Sequence, residues 1–233
     1  MSIIPLKVSP LEGAAYNLNF PVVRMFNAAY AGRDIEDVQH HIDEMAALGV
    51  PAPTEFPQAI ALSNHLLSTT DELQLYAETT GGEVEYVLFW HQDEILLGVG
   101  SDHCDTWLER HSMRHSKNVA PNIIASEVWR FADVASYFDQ LELSCDIWAN
   151  GEWCPSQRDS CASLLPPDFW FEKVEANFSK ADGTVLFSGT IGSLKGVQKG
   201  DGYRIKLYDP NSDRALAHSY HCHLVDELNL EQK

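Results

Sequence analysis

The sequence predicts an α+β fold dominated by strands, and three observations carry that reading. From about Glu83 onward most segments are short, rich in β-branched and aromatic residues, and bounded by turn residues. Only Asp34 to Leu48 shows a clear helical spacing of apolar residues, which concentrates the expected helix in the first third. No repeat, low-complexity tract or linker divides the 233 residues, a length that suits one domain, 1–233, with a sizeable core.

Taken in order, residues 1–30 mix short apolar stretches with Gly and Pro and read as one or two strands. Asp34 can cap the helix, Ile35, Val38, Ile42 and Met45 form its apolar stripe, and Gly49 with Pro51 stops it. Three prolines between Pro51 and Pro57 make that stretch a loop, expected to be mobile. Val84–Trp90 and Ile95–Gly100 flank His91-Gln92-Asp93-Glu94 as a hairpin. Leu141–Trp148 ends in the turn Asn150-Gly151, Thr184–Phe187 runs into a turn-rich stretch, and Tyr203–Tyr208 with Ala215–Val225 makes a second hairpin.

The 16 Lys+Arg against 34 Asp+Glu give a net charge of −18, which speaks against a nucleic-acid or anionic-membrane surface. Cys104, Cys145, Cys154, Cys161 and Cys222 show no paired spacing, and the odd number is no disulfide framework. With no apolar run near the roughly 20 residues a bilayer needs and no apolar leader after Met1, the expectation is a soluble protein of the reducing cytoplasm.

The chemistry-bearing feature is Glu83-Val84-Glu85. On a strand both glutamates face one side, with Cα atoms roughly 6.5–7 Å apart, while Val84, Tyr86, Leu88 and Trp90 face a core. Two such carboxylates repel unless a cation, a proton or an arginine intervenes, and oxygen donors favour Mg²⁺, Mn²⁺ or Ca²⁺. Asp102 or Asp105, after the second strand, is a candidate third ligand. His41 and Glu44 share a helix face as a potential general base and its orienting carboxylate. Arg110, Arg114 and Lys117 form the one dense basic patch. His218, His221 and His223 read as a strand face, and Cys104 beside His103 is a poor nucleophile pair because adjacent residues on an extended segment point apart.

In sequence order these pieces resemble the fumarylacetoacetate hydrolase family over roughly residues 30–225. Ala31-Gly32-Arg33-Asp34 followed by His41-Ile42-Asp43-Glu44 resembles the family's Gly-Arg-Asn start and His-x-x-Glu lid helix. Glu83-Val84-Glu85 resembles the metal strand, and Leu97–Asp102 the strand ending in the third ligand. Ser116-Lys117 before Ala120-Pro121, Asn150-Gly151-Glu152 with Gln157, and Ser188-Gly189-Thr190 with Gly196-Val197 and Gly200-Asp201 resemble the remaining blocks. Thr106 stands where an arginine is usual, Ile191 where a proline is usual, and the spacing to Gln157 is longer.

The resemblance implies a mixed β-sandwich or rolled barrel under a helical lid, assembled as a homodimer. It implies Mg²⁺ or Mn²⁺ on Glu83, Glu85 and Asp102, with His41, Glu44 and Lys117 catalytic and Arg33, Gln157 and Thr190 binding a small anionic substrate. The implied reaction is hydrolysis of a C–C bond in a 2-oxo acid or 1,3-diketone such as an acylpyruvate. The alternatives are a β-keto acid decarboxylase, a hydratase or isomerase on the same scaffold, and a non-catalytic metal- or ligand-binding β-domain.

Overall fold

A computed structural model describes residues 2–194 and 199–226. In chain order the elements are β1 (Ser2–Val8), β2 (Tyr16–Val22), β3 (Arg24–Ala29), α1 (Ile35–Ala47), β4 (Gln58–Leu62), β5 (Leu67–Ser68), β6 (Glu72–Leu75), β7 (Thr80–His91) and β8 (Glu94–Asp105). There follow α2 (Met113–Ser116), β9 (Asn122–Ile124), β10 (Glu127–Arg130), β11 (Glu142–Ala149), β12 (Glu152–Ser160), α3 (Pro167–Asn177), β13 (Thr184–Phe187), β14 (Gly202–Asp209) and β15 (Arg214–Leu224).

Among the described residues the strands form two mixed sheets. The larger runs β2-β1-β10-β8-β7-β13-β3-β4, with β9 also on β8 and β5 on β9, and the smaller runs β12-β11-β14-β15-β6. β7 and β8 are the long central hairpin, paired without a shift from Thr80↔Asp105 to His91↔Glu94. Alternation along β7 feeds two cores. Val84, Tyr86, Leu88 and Trp90 pack toward Leu143, Ile147, Tyr203, Leu207 and Tyr220 of the smaller sheet. Val87 and Phe89, on the other face, join Ile4, Leu6, Phe20, Met25, Ile60 and Phe187, all from the larger sheet. A sheet whose own strands bury each other's side chains must curl, and this one forms a half-barrel. Phe20 meets Phe89 edge to face at 5.4 Å, and fully burying each such side chain contributes about 1.5–3 kcal/mol.

The expected helix forms where its spacing places it. The Asp34 side chain accepts from the Glu36 and Asp37 backbone N–H groups at 2.8 and 3.3 Å, and Gly49 leaves the helix at φ +90°. Val38 and Ile42 are buried, but Ile35 is 69% exposed, so the apolar stripe is narrower than its spacing. Gly32 matters to this docking, since a Cβ there would meet Val38 Cγ2 at 2.8 Å.

Three expectations need correction. Residues before Tyr30 hold three strands, not one or two, because β1 and β2 pair along their full length from Ser2↔Val22 to Val8↔Tyr16. Helix is not confined to the first third: α3 has Pro167 in its first turn, where the missing N–H costs nothing, and buries Trp170 and Val174. The hairpin strands also run further than their apolar stretches, since Thr80–Glu83 and Ser101–Asp105 stay paired while carrying polar residues.

Candidate metal centre

The unbroken β7–β8 register sets Glu83 directly opposite Asp102 and Glu85 opposite Gly100. Directly paired residues share a face, so three carboxylates converge on the side of the larger sheet that faces away from the smaller one. Glu85 and Asp102 are fully buried and Glu83 half-buried. Asp105, the other candidate, points elsewhere: it accepts from the Trp107 and Leu108 backbone N–H groups and ends the strand.

Each carboxylate is held differently. Both Glu85 oxygens accept from the Asn27 amide at 3.3 Å, and Oε2 also accepts from the Gly189 backbone N–H at 2.8 Å. Gly189 adopts φ +83°, where a Cβ would meet Ala31 Cβ at 3.1 Å. Asp102 Oδ2 takes an ion pair from Lys117 Nζ, itself 5% exposed at the end of α2. Asp102 Oδ1 is buried and has no hydrogen-bond partner among the described residues.

The electrostatics follow from burial and like charge. Burial pushes the Glu83 carboxyl up to about 7, with Lys117 opposing the rise and Asp102 and Glu109 adding to it. Burial and then Asp102 hold Glu85 well above the usual carboxylate range. Burial disfavours the Lys117 charge, yet Asp102 above all, then Cys104, Glu85 and Glu83, keep the ammonium protonated well above its ordinary range. Three acids against one lysine leave a deficit of positive charge. That deficit, and the orphaned oxygen of Asp102, fit a hard divalent cation held by oxygen donors.

Gln157 and Thr190 act together on the strand between the glutamates. The Gln157 side-chain oxygen accepts from Val84 N–H at 2.9 Å, while Thr190 Oγ1 donates to Val84 O at 2.9 Å and accepts from Gln157 Nε2 at 2.8 Å. Ile191 is buried, and its carbonyl accepts the same Gln157 amide at 2.8 Å. Thr106 donates to Thr79 O at 3.1 Å and accepts from Lys199 Nζ at 3.2 Å, so a lysine from another part of the chain lies beside it. Arg33 makes a two-pronged ion pair with Asp139 at 2.7 and 2.8 Å and donates to Leu164 O at 3.0 Å. Gly196-Val197 lies outside the described residues.

His41 and Glu44 sit on the outward face of α1, 58% and 61% exposed. His41 Nδ1 is 4.0 Å from Glu44, whereas His40 Nε2 approaches the same carboxylate to 3.3 Å. The His41 ring lies 6.3 Å from that of Tyr30. Tyr30 lines a cleft of about 270 Å³ with the loop Val50–Thr54, Glu109 and Met113. Burial raises the Tyr30 hydroxyl pKa, with Glu109 adding to the rise and Lys117 opposing it.

Several participants escaped the sequence reading. Asn27 reaches Glu85 only through the β3–β13–β7 pairing and leaves no local signal. Glu109 is buried on the turn after β8, where an acidic residue reads as solvated. Cys104 follows Asp102 by two, a spacing that puts both on one face; one donor atom each from Glu83, Asp102 and Cys104 lie within 4.8 Å of one another.

The fold recurs in solved structures. Cg1458 is 14% identical, aligned over 92% of this chain and 83% of its own, with a TM-score of 0.60. The 2-keto-3-deoxy-D-arabinonate dehydratase apo form is 13% identical over 93% and 78%, with a TM-score of 0.64. The same dehydratase complexed with magnesium and 2,5-dioxopentanoate is 12% identical over 93% and 78%, with a TM-score of 0.62. These likenesses show a shared fold. A search of curated protein sequences finds no match. No helix among the described residues is long and apolar enough to cross a membrane. The sequence model of the family described as "Protein of unknown function (DUF2848)" matches residues 28–220, and the chain belongs to that family.

Proposed function

We propose that the protein is a divalent-metal-dependent enzyme that hydrolyses a C–C bond in a 2-oxo acid or 1,3-diketone of the acylpyruvate kind. One observation carries the reading: Glu83, Glu85 and Asp102 converge on one sheet face against a single lysine, with a buried Asp102 oxygen left unpartnered. These three residues would hold Mg²⁺ or Mn²⁺, which when bound supplies a Lewis acid for the oxygens of an oxo acid.

The remaining work falls to the chain itself. Lys117, kept protonated by Asp102, offsets negative charge developing on a substrate carbonyl. The Tyr30 cleft admits a small anionic substrate, while Gln157 and Thr190 hold the Val84 backbone and so fix the strand that carries Glu83 and Glu85. α1 acts as the lid and brings His41 as the base that takes a proton from the attacking water, with Glu44 beside it on the same helix face. A homodimer is the proposed assembly.

Dehydration, or decarboxylation of a β-keto acid, is the second reading. It is favoured by the exposure of His41 and Glu44, and by the shared fold with a dehydratase complexed with magnesium and 2,5-dioxopentanoate. Neither reaction needs an activated attacking water.

The test is an assay of chelator-stripped protein with an acylpyruvate, oxaloacetate and a 2-keto-3-deoxy sugar acid side by side, before and after Mg²⁺ or Mn²⁺ is restored. Acylpyruvate cleavage that needs the metal, vanishes in Glu83→Ala and falls about 10²–10⁴-fold in His41→Ala supports the hydrolase. Turnover of the other acids alone, indifferent to His41→Ala, moves the assignment to the second reading. Binding of analogues without turnover leaves a ligand-binding domain, and no metal binding overturns the site.

A further inference from the structure

We propose that Cys104 is a donor to the same ion, so that the site takes a transition-metal dication in preference to magnesium. The inference rests on the metal reading above and deepens it. β8 presents Asp102 and Cys104 on one face, and the residue opposite Cys104 on β7 is Gly81, which sends no side chain over the thiol. The Cys104 Sγ and one oxygen each of Glu83 and Asp102 lie within 4.8 Å of one another, a separation that one cation can span. Cys104 is 5% exposed and makes no disulfide.

Two further groups mark the place as a ligand site and not merely an acidic cluster. Asp102 Oδ1 is orphaned. Asn122 is 0% exposed, and neither atom of its amide has a partner among the described residues. Asn122 is two residues from Ile124 on β9, which pairs with Gly100, so strand alternation places Asn122 on the face that Gly100 shares with Asp102. Glu85, the third carboxylate of the set, is held on this face by Asn27 and Gly189.

Binding exchanges the thiol proton for the metal: the S–H bond breaks, an S–metal bond forms, and the thiol proton leaves for solvent together with any proton on the ligating carboxyls. A thiolate among carboxylates suits Co²⁺, Zn²⁺ or Fe²⁺ better than Mg²⁺, which demands oxygen donors and keeps its waters.

The experiment is Co²⁺ titration of the chelator-stripped full chain, followed by absorption and by proton release. Wild type is expected to show visible ligand-field bands, a near-ultraviolet sulfur-to-cobalt band and release of a proton. Cys104→Ser is expected to keep the ligand-field bands, lose the sulfur band and bind Co²⁺ at least about tenfold more weakly. Its Mg²⁺ affinity should not fall. Bound cobalt in wild type without the sulfur band overturns the Cys104 assignment while leaving an oxygen-donor site standing, and this readout needs no variant to fold. Failure of wild type to bind either Co²⁺ or Mg²⁺ overturns both proposals.

Discussion

Gly82→Ala should destabilise the protein strongly although it adds a single methyl group. Gly82 lies on β7 beside Glu83, facing the smaller sheet, where Ser101, His103 and Tyr220 form a buried chain of hydrogen bonds. His103 Nε2 and Tyr220 Oη are 2.6 Å apart, and Tyr220 Oη donates to Ser101 Oγ at 2.8 Å. All three residues are 0% exposed. A Cβ at position 82 would stand 2.7 Å from Ser101 Oγ and 2.8 Å from both His103 Nε2 and Tyr220 Oη. Making room for it means parting atoms that bond one another, with Tyr203 stacked on Tyr220 at 5.3 Å as one wall.

Overpacking a tight core costs about 1–3 kcal/mol, and stranding one buried polar partner about 1–3 more. The stiffer unfolded chain returns only about 0.4–1 kcal/mol. A net loss of roughly 1–5.5 kcal/mol lowers Tm by about 2–20 °C in a chain of this size. Calorimetric unfolding measures this, with Gly192→Ala as control because a Cβ there meets nothing within 4 Å. Tyr220→Phe removes one of the three crowding atoms, so the double variant should lose less than the sum of the singles. A Gly82→Ala protein melting within about 2 °C of wild type, under 1 kcal/mol by the same scale, would refute the argument.

Two more outcomes follow from the same strand pair. Lys117→Met leaves Asp102 buried and unpaired, and breaking such a pair costs about 3–5 kcal/mol. Calorimetry of the metal-free variant should show the loss, excess Mg²⁺ or Mn²⁺ should recover part of it, and an unchanged Tm counts against the charge argument. Burial holds the His103 imidazole down to about 3, whereas an exposed histidine titrates near 6.5. Between those values the unfolded chain binds a proton that the folded chain does not, so stability falls as pH drops from about 6.5 toward 3. His103→Gln should flatten that limb of the denaturation profile; an unaltered slope refutes it.

What was legible in the sequence was whatever depends on chain-local spacing. Period-two alternation in Glu83–Trp90 placed the glutamates and the core residues on opposite faces, as found. Cap and stop signals placed α1 from Asp34 to Gly49. What was hidden depends on contacts between distant segments. Asn27 and Gly189 reach Glu85 from segments 58 and 104 residues away. α3 has only Trp170 and Val174 buried beyond its leading proline, a short apolar stripe that gives little helical signal, although a proline in the first turn is where a helix tolerates one. Cys104 was legible by the same alternation that gave Asp102, but its neighbour His103 drew attention to nucleophilic chemistry, and that histidine faces the other core.

The polar site and the two cores are one arrangement, because a single strand face changes character along β7. Glu83 and Glu85 share their face with Val87 and Phe89, which sit in the half-barrel core. The carboxylates therefore lie at the polar end of an otherwise apolar trough, where surrounding side chains exclude water and strengthen every charge interaction. A slip of one residue in the β7–β8 register would turn those acids toward Tyr203 and Tyr220 and push Tyr86 and Leu88 out of their core, so the pairing is strongly specified. Gly82 and the Ser101–His103–Tyr220 chain fix that register from behind, and Lys117 offsets part of the charge from in front. Burial and crowding favour the protonated forms of Glu83 and Glu85, and one bound dication would displace those protons and bind the folded hairpin alone, so occupancy of the site and stability of the hairpin should rise together.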